Sequence, residues 1–595
     1  MATIVRAVGR RLASAAPWAF AALVVAVLAA FATVGVLRRR FEADPSGDYP
    51  LFTQLAAAAP WLSVGVFLGA AAAYVAALAL IRLLARRAVR AGDATRSPWA
   101  RTIAWVYGSW WRIALVLAVL WSPWFVMRWP GAVNPDFALM VTEIAMTRSE
   151  FAPGAIPPYD VYPIAHALIP DGETVWSNQH NAFLTLAYGV VAGASGAVFH
   201  SYVPGIVLLS STQALFTLFA LGRALQLVGR SAPRTWIRTA ALAVTAAAIA
   251  IPLWSMDLSK NPLFAAASVW WLALLIERTL SGTRRRLWAW ELAISTTLII
   301  VSAKFGVYIA LVGAVMLLVQ RLGWRAIVAA MIAPIAVVQV ALQTLMGLGI
   351  LIPDDPIEAR VVQLQQIALI LREDPDAVSA ADRAVLERVF DTEAMARVYV
   401  PESADPVKSS GFGDNGSYRW QTVRPEDWNG FTGVWLDLAA ARPDLFVDAF
   451  LLKTDRFLDP VAEVWPLPPT APMDWTVRYS LDLTDVGAPG RAALEAIGQG
   501  VYRTPAALPF SASAWTVVTV LLCVAAITLR RRGAWVWSLP LALQVGVALL
   551  SPLNGSGRYL LGLMYAAGMV LLALGAVPRP AARHVHTDTS ERMAQ

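Results

Sequence analysis

Long apolar runs, separated by short polar or arginine-rich connections, make up most of the chain. A helix needs about 20 mostly apolar residues to cross the roughly 30 Å hydrocarbon core of a bilayer. Strand-like alternation of an outer-membrane barrel is absent from the sequence. The pattern therefore predicts an all-α polytopic membrane protein with about twelve transmembrane helices. These lie near 18–37, 61–84, 105–126, 203–222, 237–254, 262–276, 288–303, 305–319, 326–350, 512–529, 534–551 and 558–577.

The composition supports a membrane protein and excludes several other classes. Of the 595 residues 58% are hydrophobic and 15% are charged, and the mean hydropathy is +0.57. A soluble chain could not bury that much apolar surface. The lone Cys523 excludes an internal disulfide. Because the sequence shows no phosphate-binding glycine loop, nucleotide fold or metal-ligand cluster, a nucleotide-sugar donor, ATP-driven transport and a nucleic-acid partner are not predicted. A divalent-metal requirement stays open.

Charge predicts which side of the membrane each connection faces. Segment 352–510 has a net charge of −11 and the remainder +19. With a cytoplasmic N-terminus and twelve spans, the arginine-rich connections at 82–101, 223–238, 278–286, 321–325 and 530–532 all face the cytoplasm, as the positive-inside rule requires. The three arginines at 38–40 are an exception, because this topology places them on the outer side of the membrane. The expected location is a bacterial inner membrane.

The same topology divides the chain and assigns the apolar run 181–199. A crossing there would turn every later arginine-rich connection outward, so we expect an interfacial or re-entrant helix instead. The N-terminus resembles a signal peptide without a convincing cleavage site, and we expect a retained first helix. The predicted regions are a cytoplasmic segment with two membrane helices (1–104), a membrane core (105–351) with an outer loop (127–202), an acidic extracytoplasmic subdomain (352–510), C-terminal membrane helices (511–577) and a cytoplasmic tail (578–595).

Four outward connections carry unusual polar residues. The first, 127–202, includes "WPGAVNPDFALMVTEI" at 129–144 and "WSNQHN" at 176–181. The others are "SMDLSKNP" at 255–262, "SAKFG" at 302–306 and "SPLNGSGRY" at 551–559. Ionisable residues at the ends of membrane helices are candidates for function because their burial is costly.

These motifs resemble those of the GT-C superfamily of membrane glycosyltransferases, in particular an uncharacterised bacterial, actinobacterial-type branch. The Pro-Gly turn followed by Asp136 is similar to the first outer loop of that superfamily, and "WSNQHNAFLTLAYG" to its second signature. "LSKNPLFAAASVWWLALL" and "SPLNGSGRYLLGLMY" look like its Lys and Gly-x-x-Arg-Tyr elements. The sequence departs from the superfamily at Asn134, where an acid is common, and at Asn181, where a proline often follows the histidine. The resemblance implies a GT-C-like bundle with interfacial helices and a polyprenyl-phosphate sugar as donor.

The residues fit that chemistry. Asp136 is the candidate general base, and the alternative is that it only caps the following helix. Lys260, Lys304 and Arg558 are candidates for binding the donor phosphate, although either lysine could simply snorkel from a helix end. Glu143 is expected on a solvated helix face. The remaining substrate-binding candidates are His180, Asn178, Tyr559, Trp420 and Trp428, of which His180 could instead be structural and the tryptophans could be interface anchors.

The predicted function is transfer of a hexose or pentose from a lipid-linked donor to a glycan or glycolipid acceptor of the cell envelope. The site would lie at the outer face of the membrane. A transporter or flippase of lipid-linked glycans is the alternative. Transporters usually carry internal repeats and charges near the middle of the membrane, and the polar motifs here cluster instead at the predicted outer ends of the helices.

Overall fold

A computed structural model describes residues 2–41, 51–90, 97–145, 176–232, 234–281, 285–321, 323–408, 416–419, 422–462, 492–493, 496, 500 and 504–576. Helices α1–α15 are Ala2–Arg40, Phe52–Ala58, Pro60–Arg90, Pro98–Tyr107, Trp110–Arg128, Pro135–Ala145, Ala182–Phe199, Val203–Gly229, Thr235–Ala247, Ala250–Ser255, Lys260–Ser281, Trp288–Ser302, Gly306–Val319, Trp324–Ile327 and Ala333–Gly347. Helices α16–α24 are Val361–Glu373, Ala380–Leu386, Thr392–Arg397, Asp405–Lys408, Phe431–Ala441, Pro443–Thr454, Ala512–Thr528, Ala534–Leu549 and Leu561–Gly575. Strands β1–β4 are Ala132–Val133, Trp176–Ser177, Asp257–Leu258 and Leu351–Ile352.

The prediction of an all-α polytopic membrane protein is confirmed. Each of the twelve predicted spans corresponds to helical structure. Within the described residues, eight helices are long and apolar enough to cross a membrane, and α7 is one of them. Four more apolar helices are shorter, and the helices of the predicted span 237–254, α9 and α10, belong to neither group. The strands are only two residues long and form two parallel pairs, β1 with β3 and β2 with β4. These pairs connect loops at one end of a helical bundle.

One predicted span, 237–254, is divided between α9 and α10. The break falls at Ala248, which has φ −77° and ψ 74°. Pro252 follows four residues later and has no N–H to donate to the carbonyl of Ala248. The carbonyl of Ala248 accepts instead from the N–H of Ile251 at 2.9 Å, and a proline at 252 disfavours a continuous helix through Ala248 because its ring would clash with that carbonyl.

The core of the bundle surrounds α11. This helix is buried along almost its whole length, and α8, α12 and α24 pack around it. It begins at Lys260 and ends at Ser281, so it spans the bundle from end to end. We call the end at which α5 stops and α11 begins the Asp136 end, and the opposite end the arginine end.

Helix α7 is the possible extra crossing. The hydrogen bonds described for its two ends and its middle go to elements at the Asp136 end. Asn181, just before α7, donates from Nδ2 to the carbonyl of Ile300 near the end of α12, at 3.1 Å. Tyr188 donates to Gln213 Oε1 at 2.7 Å, and Gln213 in turn donates to the backbone oxygen of Asp257. At the far end, the backbone N–H of Gly205 donates to Ser195 Oγ at 2.9 Å. Helix α7 therefore folds back along the first turns of α8. Its length and apolar composition would also suit a crossing, so its predicted interfacial position stays a prediction.

The acidic segment forms a helical subdomain at the Asp136 end. Helices α16, α18, α20 and α21 surround an apolar core that includes Leu364, Phe390 and Phe431. Arg38, at the end of α1, pairs with Asp455 at 2.8 Å and with Glu402 at 2.7 Å. Arg39 pairs with Asp459 of the same segment. Two of the three exceptional arginines thus have acidic partners in the acidic segment, which offset part of the charge that the positive-inside rule would place on the other side.

Candidate functional site

The turn that carries Asp136 is fixed to a second loop of the chain. Strand β1 pairs with β3 so that Ala132 is opposite Asp257, and the N–H of Ala132 donates to the carbonyl of Met256 at 2.9 Å. Gly131 has φ +134°, and a Cβ on it would lie 2.7 Å from the Cβ of Ser210. Only glycine fits this position. The close approach brings the first outward loop onto the "SMDLSKNP" loop.

Asn134, not Asp136, caps helix α6. The backbone N–H of Asp136 donates to Asn134 Oδ1 at 2.7 Å, which is the hydrogen bond expected of an N-cap side chain. The carboxylate of Asp136 makes no hydrogen bond within the residues that the structure describes, and its side chain is 21% exposed. Asn134 therefore performs the capping that was the alternative role for Asp136, and the Asp136 carboxylate is available for another role.

Two of the three predicted phosphate-binding cations lie beside Asp136. Its Oδ2 is 4.0 Å from Lys260 Nζ and 3.7 Å from Arg558 NH1. Both distances exceed hydrogen-bond length. Arg558 also donates to Tyr559 Oη at 3.0 Å and lies over its ring. The structure thus assembles Asp136, Lys260, Arg558 and Tyr559 from three separate regions of the sequence.

The charges around Asp136 decide its ionisation. Burial acts to raise the pKa of this carboxyl, but the positive charges of Arg558 and Lys260, with smaller contributions from His180 and Lys408, outweigh it and hold the pKa below its ordinary value. Asp136 is therefore negatively charged at neutral pH.

The turn that carries Arg558 is held by the acidic subdomain. Asn554 donates from Nδ2 to Asp455 Oδ1 at 2.6 Å, and its backbone N–H donates to the carbonyl of Glu402 at 2.9 Å. The Arg456 guanidinium pairs with Glu402 at 2.6 Å. The subdomain is consequently part of the structure that positions the site.

His180 and Asn178 belong to a segment held on several sides. Strand β2 pairs with β4, and the N–H of Ser177 donates to Glu143 Oε1 at 2.8 Å. The side chains of His180 and Asn178 are buried, and His180 is close enough to Asp136 to lower its pKa. Asn178 Oδ1 has no hydrogen-bond partner among the described residues. His180 borders the site, and the structure leaves the predicted roles of both residues untested.

The prediction for Glu143 was wrong. This residue is 2% exposed rather than solvated. Helix α6 packs against α7, and the N–H of Ser177 reaches the Glu143 carboxyl from β2, so the face that carries it is covered. Burial raises the pKa of Glu143 to about 8, although the Ser177 hydrogen bond acts in the opposite direction.

Other predicted residues lie away from Asp136 or outside the described residues. Lys304 pairs with Asp354 at 2.9 Å. Trp428 lies in the core of the acidic subdomain, 6% exposed, against Phe390 and Phe431. That packing explains its presence and does not support stacking on a sugar. Trp420 falls outside the described residues, and so do four ionisable residues of the predicted outer loop 127–202: Asp160, His166, Asp171 and Glu173.

Sequence reasoning missed Asp257 and Lys408. Asp257 is fully buried, and Ser259 Oγ donates to its Oδ2 at 2.6 Å. Burial raises its pKa to about 6, with Ser259 and Arg128 acting in the opposite direction. Lys408 pairs with Glu358 at 2.8 Å. Asp257 could have been noticed because it lies three residues before Lys260. Lys408 could have been noticed because the chain has only four lysines.

The described residues contain no group of three or more His, Cys, Asp or Glu side chains arranged to hold a metal ion. The arrangement around Asp136 is instead one of a single carboxylate and several cations. Such a site can accept a proton on the carboxylate and bind an anionic group on the cations.

Comparisons with known proteins identify a family. A profile described as "Family of unknown function (DUF6020)" matches residues 7–591. The chain belongs to DUF6020. No curated protein matches the DUF6020 chain. Among solved structures, the chain is similar to ArnT from Cupriavidus metallidurans bound to undecaprenyl phosphate, at 15% sequence identity and a TM-score of 0.27, over 76% of this chain and 77% of that one. A TM-score this low does not establish a shared fold.

Proposed function

We propose that this protein is a membrane glycosyltransferase that uses a polyprenyl-phosphate sugar, with Asp136 as its general base. One observation carries the proposal. At one end of a membrane bundle, a carboxylate without a hydrogen bond among the described residues faces Lys260 and Arg558, which come from distant parts of the chain. The resemblance of the four loop motifs to GT-C sequences supports the same reading.

The proposed reaction uses each of these groups. The acceptor hydroxyl oxygen attacks the anomeric carbon while its proton passes to Asp136. The bond between that carbon and the phosphate oxygen breaks, and the phosphate leaves with the electron pair. Arg558 and Lys260 stabilise the charge that develops on the phosphate, and the guanidinium can bind two of its oxygens at once. No further reactant is required.

The location of the site suits a lipid-linked donor. The carboxylate lies at the ends of membrane helices, where the head group of a polyprenyl phosphate meets water. The positive-inside pattern supports a position of this end outside the cytoplasm, in a bacterial inner membrane. The acceptor in this proposal is a glycan or glycolipid of the cell envelope, approaching from the side of the acidic subdomain.

A transfer assay tests the proposal. The purified protein is given polyprenyl-phosphate sugars, one labelled hexose or pentose at a time, with envelope glycans from a strain that lacks the protein. We expect label to enter the glycan and turnover to fall about 10²–10⁴-fold in Asp136→Asn, because an amide cannot accept the proton. Asp444→Asn is the matched control, since this aspartate is half-exposed and pairs with Arg442 away from the site.

Two results would contradict the proposal. One is near-normal turnover in Asp136→Asn at an unchanged melting temperature. The other is movement of the lipid-linked glycan between the leaflets of a vesicle without its consumption, which would support the flippase. The described charged groups of the bundle cluster at its ends rather than near its middle, which favours the enzyme.

A further inference from the structure

A single carboxylate oxygen of Asp136 faces both candidate phosphate-binding cations. Oδ2 lies 4.0 Å from Lys260 Nζ and 3.7 Å from Arg558 NH1. The carboxylate therefore lies where it interacts with the two charges that an incoming phosphate would also use. An anion entering between Lys260 and Arg558 would meet Asp136 as a competitor.

Arg558 retains unused hydrogen-bonding capacity. A guanidinium has five N–H donors in a planar fork. Within the part of the chain that the structure describes, its one hydrogen bond goes to Tyr559 Oη, and its buried Nε has no partner. A buried N–H without an acceptor is costly, so this group points to a ligand that supplies one. A phosphate oxygen is such an acceptor.

The charge balance also favours exchange. Lys260, Arg558 and Asp136 together carry a net charge of +1 when Asp136 is ionised. The neighbouring Asp257 and Arg128 interact with each other and add no net charge when Asp257 is ionised. The further cation, Lys408, is already compensated by Glu358 and Asp405. A phosphodiester carries one negative charge, so it neutralises the cluster without leaving an uncompensated ion. The donor of the proposed reaction is a phosphodiester of this kind.

We propose that Asp136 occupies the place of the donor phosphate between Lys260 and Arg558 until the donor binds, and that the donor displaces the carboxylate and thereby releases it to act as the base. This inference rests on the proposed function and adds an order of binding to it. The donor enters first, and only then can Asp136 accept the proton of the acceptor hydroxyl.

The exchange resolves a difficulty in the chemistry. A carboxylate whose pKa is held below its ordinary value is a weak base, and Asp136 is in that state while Arg558 and Lys260 face it. Once those cations pair with phosphate, and the phosphate adds its own negative charge nearby, the pKa of Asp136 rises. The charged and titratable groups that face this cluster are Arg558, Lys260, His180, Lys408, Asp257, Arg128 and Tyr559.

Binding of a phosphodiester that cannot react tests the exchange. The probe is a short-chain prenyl methyl phosphodiester, which does not titrate near neutral pH, and binding is measured by calorimetry at pH 5 in two buffers of different ionisation enthalpy. We expect Asp136→Asn to bind the probe about 10-fold more tightly than the unaltered protein, because the competing charge is gone. We also expect the unaltered protein to take up more protons on binding than Asp136→Asn does.

A double-mutant cycle tests whether the gain in probe affinity depends on the cations. In a Lys260→Gln background the gain from Asp136→Asn should shrink, because one of the contested charges is absent. Asp444→Asn should leave the affinity and the proton uptake unchanged. Folding is not expected to confound the result, since Asn134 caps the helix and the carboxylate of Asp136 makes no hydrogen bond among the described residues.

The outcomes separate this inference from the proposed function. Equal or weaker binding by Asp136→Asn, or equal proton uptake, would overturn the exchange, and sugar transfer by the unaltered protein would show that the function survives. If neither protein binds the probe and no sugar is transferred, both proposals fail. Tighter binding by Asp136→Asn together with loss of transfer would support both.

Discussion

The two ends of the bundle each carry a cluster of charges, and the two clusters are built differently. At the arginine end, Glu291 pairs with Arg223 at 2.6 Å and with Arg285 at 2.7 Å, and Arg285 also pairs with Glu277 at 2.6 Å. At the Asp136 end, the ion pairs of Asp136 are 3.7–4.0 Å long. Charges that hold a fold together form hydrogen-bonded pairs with one another. The distances from Asp136 to Lys260 and Arg558 exceed hydrogen-bond length.

The arginine-end cluster also joins separate elements. Arg223 lies on α8, Glu277 at the end of α11 and Glu291 at the start of α12, and Trp270 Nε1 donates to Glu291 Oε2 at 3.3 Å. Removing Glu291 would leave Arg223 without its acidic partner and Arg285 with Glu277 alone. At the Asp136 end, removal of the carboxylate leaves no broken hydrogen bond among the described residues. The comparison therefore predicts opposite effects on stability and on activity.

The first prediction concerns Arg558, and it has the largest expected effect among the binding variants. Arg558→Lys keeps the charge but loses the planar fork, so the affinity for a polyprenyl phosphate should fall by about 1.5–3 kcal/mol, or roughly 10–150-fold. Titration of the purified protein with a short-chain polyprenyl phosphate measures this. An unchanged dissociation constant would return Arg558 to a structural role.

The second prediction tests the charge cluster at the arginine end. Glu291→Gln should lower the free energy of unfolding by about 2–4 kcal/mol, because Arg223 and Arg285 lose a shared partner that is 14% exposed. Arg285 retains Glu277, which limits the loss. Chemical unfolding in detergent measures the change, and Asp444→Asn serves as the control with an exposed pair. Full stability in Glu291→Gln would mean that this cluster is not structural.

The third prediction concerns pH. The pKa of Asp257 is raised to about 6, so Asp257 is neutral below that pH and gains a negative charge above it. The added charge competes for Arg558, and donor affinity should therefore fall about 2–5-fold as the pH rises through 6. In Asp257→Asn this dependence should disappear. A pH-independent affinity in the unaltered protein would exclude such an effect.

The fourth prediction asks whether the two ends face opposite sides of the membrane. In a Cys523→Ala background, Gln179→Cys and His200→Cys should react with an impermeant thiol reagent added outside intact cells. Ser97→Cys, at an exposed position of the arginine end, should react only after the membrane is broken. Protection of position 200 in intact cells would show that α7 crosses, and the assignment of sides would be lost.

The apolar pattern predicted the helices of the bundle because membrane spans are long and uniformly apolar. It also predicted that Asp136, Lys260 and Arg558 share one end, since this follows from counting spans. It could not predict which face of α6 is covered, because that depends on how α7 folds back, and so the burial of Glu143 was missed.

The other differences between the sequence prediction and the structure also come from contacts between distant parts of the chain. Asn134 was noted as a departure from an acidic pair, and the structure shows it as the helix cap. Trp428 reads as an interface or sugar-binding residue in a turn-rich segment, yet it fills the core of the acidic subdomain. Asp257 comes to the site through the β1–β3 pair, which is two residues long and leaves no periodic signal.

The most direct test of the account measures turnover and stability together in Asp136→Asn and Glu291→Gln. We expect Asp136→Asn to keep its stability and to lose about 10²–10⁴-fold in sugar transfer. We expect Glu291→Gln to lose stability while each folded molecule keeps its turnover. Near-normal transfer by Asp136→Asn, or a loss of transfer by folded Glu291→Gln as large as that of Asp136→Asn, would contradict it.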